Sequence, residues 1–425
     1  MMLTARGAAL LVGAVLLWGV ARLIGVAELY VVAVAAAALV GVGALAVRLM
    51  TATIAVRRSA SSARLLHGTT GAVQVHLRND SRLVAPPLLV SDEVHWTLAD
   101  RPRFVVAHLR PGSTTTLAYP VRATQRGRFR VGPLTIRVRD PFGLTQLARR
   151  YERTDEIVVY PEVEALDAGV VGGNHRGTGS SEARRLFNSG DEFHTMREYV
   201  QGDDLRMIHW ASTAHRDTLM VRQHEMPWQA EATIVCDLRS RAHTGAGADS
   251  TFEKALSVAA SVVWHLADHH YQLRLLTEDD VRSRGVEPWE TLMERLAVAE
   301  QSSTRGLAPT LRALRGRGGE GLLVTIVPAP AGNEPVARHP DVRALLGAGR
   351  GHTGRIAVVV HTGRHQAARA DECAALLRSA GWKATTAAVG GEFAASWRGL
   401  SGGRRAAPAY APDAPRAAAT STEER

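Results

Sequence analysis

Charged, ring-bearing and glycine residues crowd into one stretch of the chain, Gly172–Trp228. Its centre reads Glu198-Tyr199-Val200-Gln201-Gly202-Asp203-Asp204-Leu205-Arg206-Met207-Ile208-His209-Trp210. Gly202 permits a tight turn. Asp203 or Asp204 suits the cap of a helix starting near Leu205. Arg206 would then lie close to both carboxylates as a bidentate partner. Two uses fit this pattern: an ion-paired turn that pins the stretch to a neighbouring sheet, or a binding face for a charged partner. His209, His215 and His224 stand near Asp203, Asp204 and Glu225, the residue types of general-base hydrolysis. With 17 histidines in the chain, such proximity also arises by chance. Ser180-Ser181 and Ser189-Gly190 lack the strand–turn–helix pattern of a nucleophile elbow. No Gly-rich loop ends in Gly-Lys-Ser/Thr, which excludes a P-loop ATPase. Gly172-Gly173 and Gly177-x-Gly179 read as a surface turn. Phe187, Phe193, Met196, Tyr199, Leu205, Ile208 and Trp210 argue against disorder, so the stretch is expected to be functional.

Two kinds of element flank this segment. On its C-terminal side, residues 230–400 alternate strands and helices. Apolar runs at 232–238, 271–277, 321–327, 355–361 and 382–389 read as strands. The stretches 251–269, 288–300, 309–315 and 367–379 read as helices, the first with Phe252, Leu256, Ala259, Val263 and Leu266 on one stripe. This rhythm predicts a mostly parallel α/β sheet covered on both faces, with any ligand at the carboxyl ends of its strands. On the N-terminal side, residues 65–165 carry short alternating runs at 73–77, 104–109, 116–121, 129–138 and 156–160. Turn signals separate them, including Asn79-Asp80, Pro111-Gly112 and Asp140-Pro141. That pattern predicts a β-sandwich of the immunoglobulin-like kind with a spacing or docking role.

Residues 1–50 are different again. Gly7–Ala21 is free of charge, Arg22 and Glu28 sit in a short link, and Leu29–Val47 is a second uncharged run. A bilayer span needs about 20 apolar residues, so a two-helix transmembrane hairpin is expected. A cleaved signal peptide fits less well, because no small-x-small cleavage site parts the two runs. Arg6 on one side and Arg48, Arg57, Arg58 and Arg64 on the other place both termini in the cytoplasm by the positive-inside rule. Ser401–Arg425, rich in Ala, Pro, Arg, Ser and Thr, is expected to be a disordered tail.

Charge and cysteine content narrow the function. The chain of 425 residues has 51 basic and 41 acidic side chains, a net charge of +10. Only Lys254 and Lys383 are lysines, and no basic run is interleaved with aromatics, so a nucleic-acid partner is not expected. Cys236 and Cys373 cannot build a disulfide framework or a multi-Cys zinc site, and read as buried thiols.

The segment resembles the signature of the domain of unknown function 58 family, through Arg197, Tyr199, Gly202, Asp203, Asp204, Arg206, Ile208, Trp210 and Ala211. That family usually has Asp between the Ile and the Trp, where this chain has His209. A second stretch, 126–144 followed by Val158-Val159-Tyr160-Pro161, resembles the family's β-domain signature, including Asp140-Pro141-Phe142-Gly143. The resemblance implies a membrane hairpin, a β-sandwich, the signature segment at 172–228 and a von Willebrand factor A-like domain. It also implies partnership with a MoxR-type AAA+ ATPase, often beside a transglutaminase-like membrane protein. No reaction and no cofactor are implied.

Von Willebrand A domains often bind Mg²⁺ through Asp-x-Ser-x-Ser after the first strand. Here that stretch is Asp237-Leu238-Arg239-Ser240-Arg241, a degenerate version with Asp237 and Ser240 but guanidinium groups at both serine positions. Thr277, Glu278, Asp279 and Asp280 are the remaining oxygen donors nearby. No metal is expected, and Asp237 is expected to pair with a neighbouring Arg. The chain thus reads as a membrane-anchored, non-enzymatic interaction protein whose docking surface is the signature segment. Two alternatives stay open: a hydrolytic enzyme using His209 with Asp203 or Asp204, and a metal-dependent ligand-binding module.

Overall fold

The computed structural model describes residues 2–140, 142–170, 194–199, 208, 210, 213–214, 218–224, 230–277, 285–304, 306–315, 321–348 and 352–401. These residues divide into two units, one made of Met1–Glu162 with Met293–Ala299, the other of Val163–Leu292 with Glu300 onward.

The first unit opens with a two-residue strand, β1 (Met2–Leu3), and two helices, α1 (Ala5–Ile24) and α2 (Ala27–Ala52). Thr4 caps α1, its Oγ1 accepting from the Gly7 amide at 3.2 Å. Gly25, at φ 79°, closes α1 in the left-handed conformation that glycine adopts without a Cβ penalty. Both helices are long and apolar enough to cross a membrane. Most of their large apolar side chains point outward, Val15, Leu16, Leu23 and Val31 among them, as suits a helix solvated by lipid rather than water. Trp18 and Tyr30 pack edge to face across the hairpin at 4.9 Å.

A β-sandwich follows. One sheet is the antiparallel trio β2 (Ile54–Ala60), β4 (Thr70–Asn79) and β7 (Thr114–Arg122), in the order β2-β4-β7. The other runs β1-β9-β8-β10-β3, from β3 (Arg64–Leu65), β8 (Gly127–Arg139), β9 (Thr145–Tyr151) and β10 (Asp155–Val159). Strands β5 (Leu88–Val94) and β6 (Arg103–Val106) extend it, β5 pairing with β8. Val73, Val75, Leu77 and Val121 from the first sheet meet Leu88, Val90, Leu134, Ile136 and Val138 from the second in one buried core. Strand β2, from Ile54, is part of the sandwich, and its last strand, β10, ends at Val159. Arg58, expected to flank the membrane, instead turns inward. Its guanidinium grips Asp92 in two bonds of 3.0 and 2.7 Å and reaches Asp155 at 3.1 Å, while the Tyr119 hydroxyl donates to Asp92 at 2.7 Å. Burial, then the Asp92 charge, push the Tyr119 hydroxyl pKa upward, so it stays a donor.

Between sandwich and α/β sheet, β11 (His194–Glu198) and β12 (Met220–His224) form an antiparallel ladder pairing Arg197 with Val221. The second unit then builds five parallel strands: β13 (Glu231–Cys236), β14 (Gln272–Leu276), β15 (Leu322–Pro328), β16 (Gly354–His361) and β17 (Lys383–Ala388). Their order is β14-β13-β15-β16-β17. In chain order this is 2-1-3-4-5, a doubly wound sheet whose direction of winding reverses between β13 and β15. Helix α3 (Thr251–Asp268) starts on a serine N-cap, Ser250 Oγ accepting from the Glu253 amide. It buries Leu256, Ala259, Val263 and Leu266. Helices α4 (Trp289–Ala297), α5 (Ala308–Arg315), α6 (Pro340–Ala348), α7 (Gly363–Ser379) and α8 (Phe393–Arg398) complete the connections. Leu311 of α5, Leu345 of α6 and Leu377 of α7 share a core with Val235, Leu323 and Val359 of the sheet. Helices α6 and α8 were not expected from the sequence, being short and poor in periodic apolar residues.

Helices α3 and α8 are tied to the chain that follows the sandwich. Lys254 donates to Glu164 at 2.9 Å and to the Gly391 carbonyl at 2.7 Å, and the Trp397 indole donates to the Asp167 carbonyl. The expected tail at 401–425 lies outside the described residues beyond Ser401.

Candidate functional site

The reversal point between β13 and β15 is where ligand crevices form in open α/β sheets. Here the chain leaves β13 through Asp237, whose amide donates to the Ile326 carbonyl, so its carboxylate sits at the carboxyl end of both strands. A cleft of about 110 Å³ opens there, lined by Asp237, Arg239, Arg241, Thr304, His339 and Asp341, with Pro328-Ala329-Pro330 as a floor.

Asp237 is fully buried, yet it is not free to do chemistry. Its Oδ1 accepts from the Arg239 amide at 3.0 Å and from Arg239 Nε at 2.9 Å, and its Oδ2 accepts from Nη2 at 2.6 Å. The same guanidinium donates from Nη2 to Asp341 Oδ2 at 2.8 Å and from Nη1 to Asp341 Oδ1 at 3.2 Å. Four of its five N–H groups are thereby used in two fork-like pairings. Burial alone would favour loss of its proton, but the bonds and charges of Asp237 and Asp341 outweigh this and hold its pKa above the ordinary arginine value. Asp237 thus pairs with its neighbouring arginine as the sequence suggested. Asp341 was missed. It lies in the first turn of α6 behind Pro340, and a Pro-Asp pair opening a helix is the signal that could have found it.

The loop after β13 is braced from behind. His243 Nε2 lies 2.7 Å from the Asp237 carbonyl and Nδ1 3.1 Å from Thr251 Oγ1. Burial lowers the His243 pKa, so the ring stays neutral and structural. Ser240, the other half of the expected degenerate site, is exposed and is absent from the cleft lining; its amide donates to the Ser302 carbonyl. Thr277 is buried, while Glu278, Asp279 and Asp280 lie outside the described residues. Among the described residues no three His, Cys, Asp or Glu side chains converge.

Cys373 reaches the cleft wall from α7 but is 1% exposed, and burial, then Glu372, push its thiol pKa up to about 12. A thiol so held is neither nucleophile nor metal ligand near neutral pH. In the native protein, iodoacetamide is expected to leave Cys373 and the equally buried Cys236 unmodified, and to label both in urea. Labelling of Cys373 without denaturant would show an open route to the cleft.

Arg241 is exposed on the rim of the cleft, and Thr304 accepts from Ser302 Oγ at 2.9 Å. Both carboxylates already accept hydrogen bonds from the Arg239 guanidinium.

Of the signature residues, Arg197 is in β11, and the Tyr199 amide continues the ladder by donating to the Leu219 carbonyl at 2.8 Å. Ile208 is buried and Trp210 is 68% exposed. Gly202, Asp203, Asp204, Arg206, His209, Ala211, His215 and Glu225 lie outside the described residues, as do the side chains of Arg197 and His224.

Residues 195–363 match the family model described as protein of unknown function DUF58. The matched stretch runs from β11 through the Asp237–Arg239 loop and Asp341 to the start of α7. No curated protein matches the chain. Among solved structures, the chain is similar to the CARDB domain of a Pyrococcus furiosus protein crystallised in complex with di-metal ions. That likeness has 16% identity and a TM-score of 0.20, and covers 25% of this chain and 86% of that one. It is also similar to part of alpha-2-macroglobulin from Escherichia coli, at 24% identity and a TM-score of 0.22 over 27% of this chain and 17% of that one. At such scores neither likeness bears on function.

Proposed function

We propose that the protein is a membrane-anchored, non-enzymatic interaction module. In this reading α1 and α2 cross the bilayer, both termini face the cytoplasm, and the immunoglobulin-like sandwich carries a von Willebrand factor A-like domain. The observation that carries it is the Arg239 clamp. At the position where an open α/β sheet places its ligand or catalytic group, a guanidinium already binds two carboxylates. A reversal point sealed in this way supports docking rather than turnover. The matched family stretch takes in the signature segment from residue 195 onward, and the polar residues Arg197, Asp203, Asp204 and Arg206 there are the proposed docking surface. A MoxR-type AAA+ ATPase is the proposed partner, with a transglutaminase-like membrane protein as a possible third member.

The test is affinity capture of the intact protein from mild-detergent membranes, with mass spectrometry of what accompanies it. A MoxR-type ATPase is expected with the wild-type chain and lost with the D203K/D204K double variant, whose thermal unfolding should match wild type. Equal capture by the folded double variant overturns the docking surface. Recovery of the chain alone, with and without ATP, overturns the partner.

A further inference from the structure

The turn that joins β8 to β9 has an unusual combination of features. Its tip exposes a phenylalanine, Phe142, at 61%. Yet the amides that follow it turn inward. The buried Asp140 carboxylate accepts from the amides of Phe142 at 2.8 Å, Leu144 at 3.2 Å and Thr145, and from Thr145 Oγ1 at 2.8 Å. The Gly143 amide donates to the Asp140 carbonyl at 3.0 Å. Pro141 has no amide hydrogen to satisfy. The Thr4 hydroxyl lies 2.6 Å from the Gly143 carbonyl and 3.0 Å from that of Leu144, and the Thr4 amide donates to Leu144 as well. Such closure is compatible with the apolar edge of a bilayer, where no water satisfies an unmet polar group.

The helix pair fixes where this turn lies. Strand β1 pairs with β9, and α1 begins directly after it. A Cβ at Gly7, in the first turn of α1, would collide with the Leu144 carbonyl oxygen. A Cβ at Gly43, on α2, would lie 3.5 Å from the Asp140 carboxyl carbon. Two glycines on antiparallel helices therefore seat the turn at one level. That level is where charge ends and the uncharged run Gly7–Ala21 starts, just past Arg6. From Gly43, α2 continues for about 14 Å toward Ala52. Val47 in that extension is buried in the sandwich core, so this part of α2 is solvated by protein. The bilayer surface falls at the level of Gly7 and Gly43, beside Phe142. Exposed Arg6 and Arg139 lie next to the turn, and Leu3 adds apolar surface at 48% exposure.

We propose that the Asp140–Leu144 turn is a membrane-insertion element, placing Phe142 in the headgroup–acyl boundary of the bilayer that α1 and α2 cross, with Arg6 and Arg139 against anionic headgroups. This rests on the membrane-spanning reading of the helix pair. An aromatic side chain flanked by arginine stems is the composition of an interfacial anchor. It holds the sandwich against the membrane surface instead of letting it swing on the hairpin.

The test places a single environment-sensitive label, NBD, on the full chain in vesicles of phosphatidylcholine and phosphatidylglycerol. The native thiols are buried, so F142C is labelled selectively. Two references accompany it: V12C, on the lipid-facing side of α1, and Q125C, exposed at the opposite end of β8. The label on F142C is expected to resist aqueous dithionite several-fold longer than that on Q125C. It should be quenched more by lipids with a nitroxide just below the headgroup than by lipids with one near the chain end. If V12C is protected but F142C is reduced as fast as Q125C, the insertion is overturned and the hairpin stands. If V12C is reduced as fast as Q125C, the spanning helices are overturned, and the insertion with them.

Discussion

An Arg239→Met variant is expected to lose about 3 kcal/mol of stability, the lower end of the roughly 3–5 kcal/mol range for breaking a buried ion pair from one side. The guanidinium is 8% exposed and bonds to carboxylates whose side chains are 0% and 22% exposed. Removing it takes two guanidinium bonds from the buried Asp237 carboxylate. Asp341 keeps partial access to water, which sets the estimate at the lower end. In thermal terms this is roughly 6–12 °C for a unit of this size. Hydrogen exchange of the β13 and β15 amides in the intact protein reads the loss locally. Replacing all three members with neutral residues, R239M with D237N and D341N, is expected to restore most of it, because no orphaned charge remains. Unchanged exchange in R239M alone would mean that the clamp contributes nothing. An Arg239→Ser variant adds a second reading. It leaves two carboxylates and a hydroxyl around the vacated position, hard oxygen donors of the kind Mg²⁺ takes. Magnesium is expected to stabilise this variant and not the wild-type chain, where the guanidinium already holds the place.

The same chemistry explains which elements could be read from the sequence. Strands β4, β7 and β8 were legible because their inward residues are apolar and alternate with polar ones. Strands β2 and β5 were not. Residues 54, 56 and 58 share a face of β2, as 88, 90 and 92 do of β5, and the last of each set is one half of the Arg58–Asp92 pair. A buried ion pair makes an inward face look solvated, so Arg57-Arg58 read as membrane-flanking charge and the run around Asp92 gave no strand signal. The candidate site divides along the same line. Asp237 and Arg239 are two residues apart, and their pairing follows from spacing alone. Asp341 stands 102 positions beyond Arg239, and only the folding of α6 over the end of β15 brings them together. The parallel sheet itself was legible because strands buried on both faces read as continuous apolar runs, as in 321–327 and 355–361.

Acid is expected to destabilise the second unit well before its carboxylates titrate, and His265 is the main reason. The ring lies in α3 at 5% exposure, with Nε2 buried and without a hydrogen-bond partner among the described residues. It packs edge to face on Trp397 at 5.8 Å and against His269 at 4.4 Å. Burial first, then the neighbouring His269, lower its pKa from 6.5 to about 4. The unfolded chain therefore takes up this proton below about pH 6.5, while the folded chain refuses it until about pH 4. The stabilisation is fully present above the unfolded value and is lost as pH falls toward the folded one. It amounts to about 2–3 kcal/mol between neutrality and pH about 4.5. Burial lowers the pKa of His243, His352 and His361 as well, so their contributions carry the same sign. A His265→Leu variant keeps the contact with Trp397 and removes the proton site. Urea unfolding of wild type and variant across this pH range should give curves that converge in acid, with the wild type falling more steeply by that amount. Parallel curves would mean that His265 finds a way to be protonated in place, by admitting water beside Trp397.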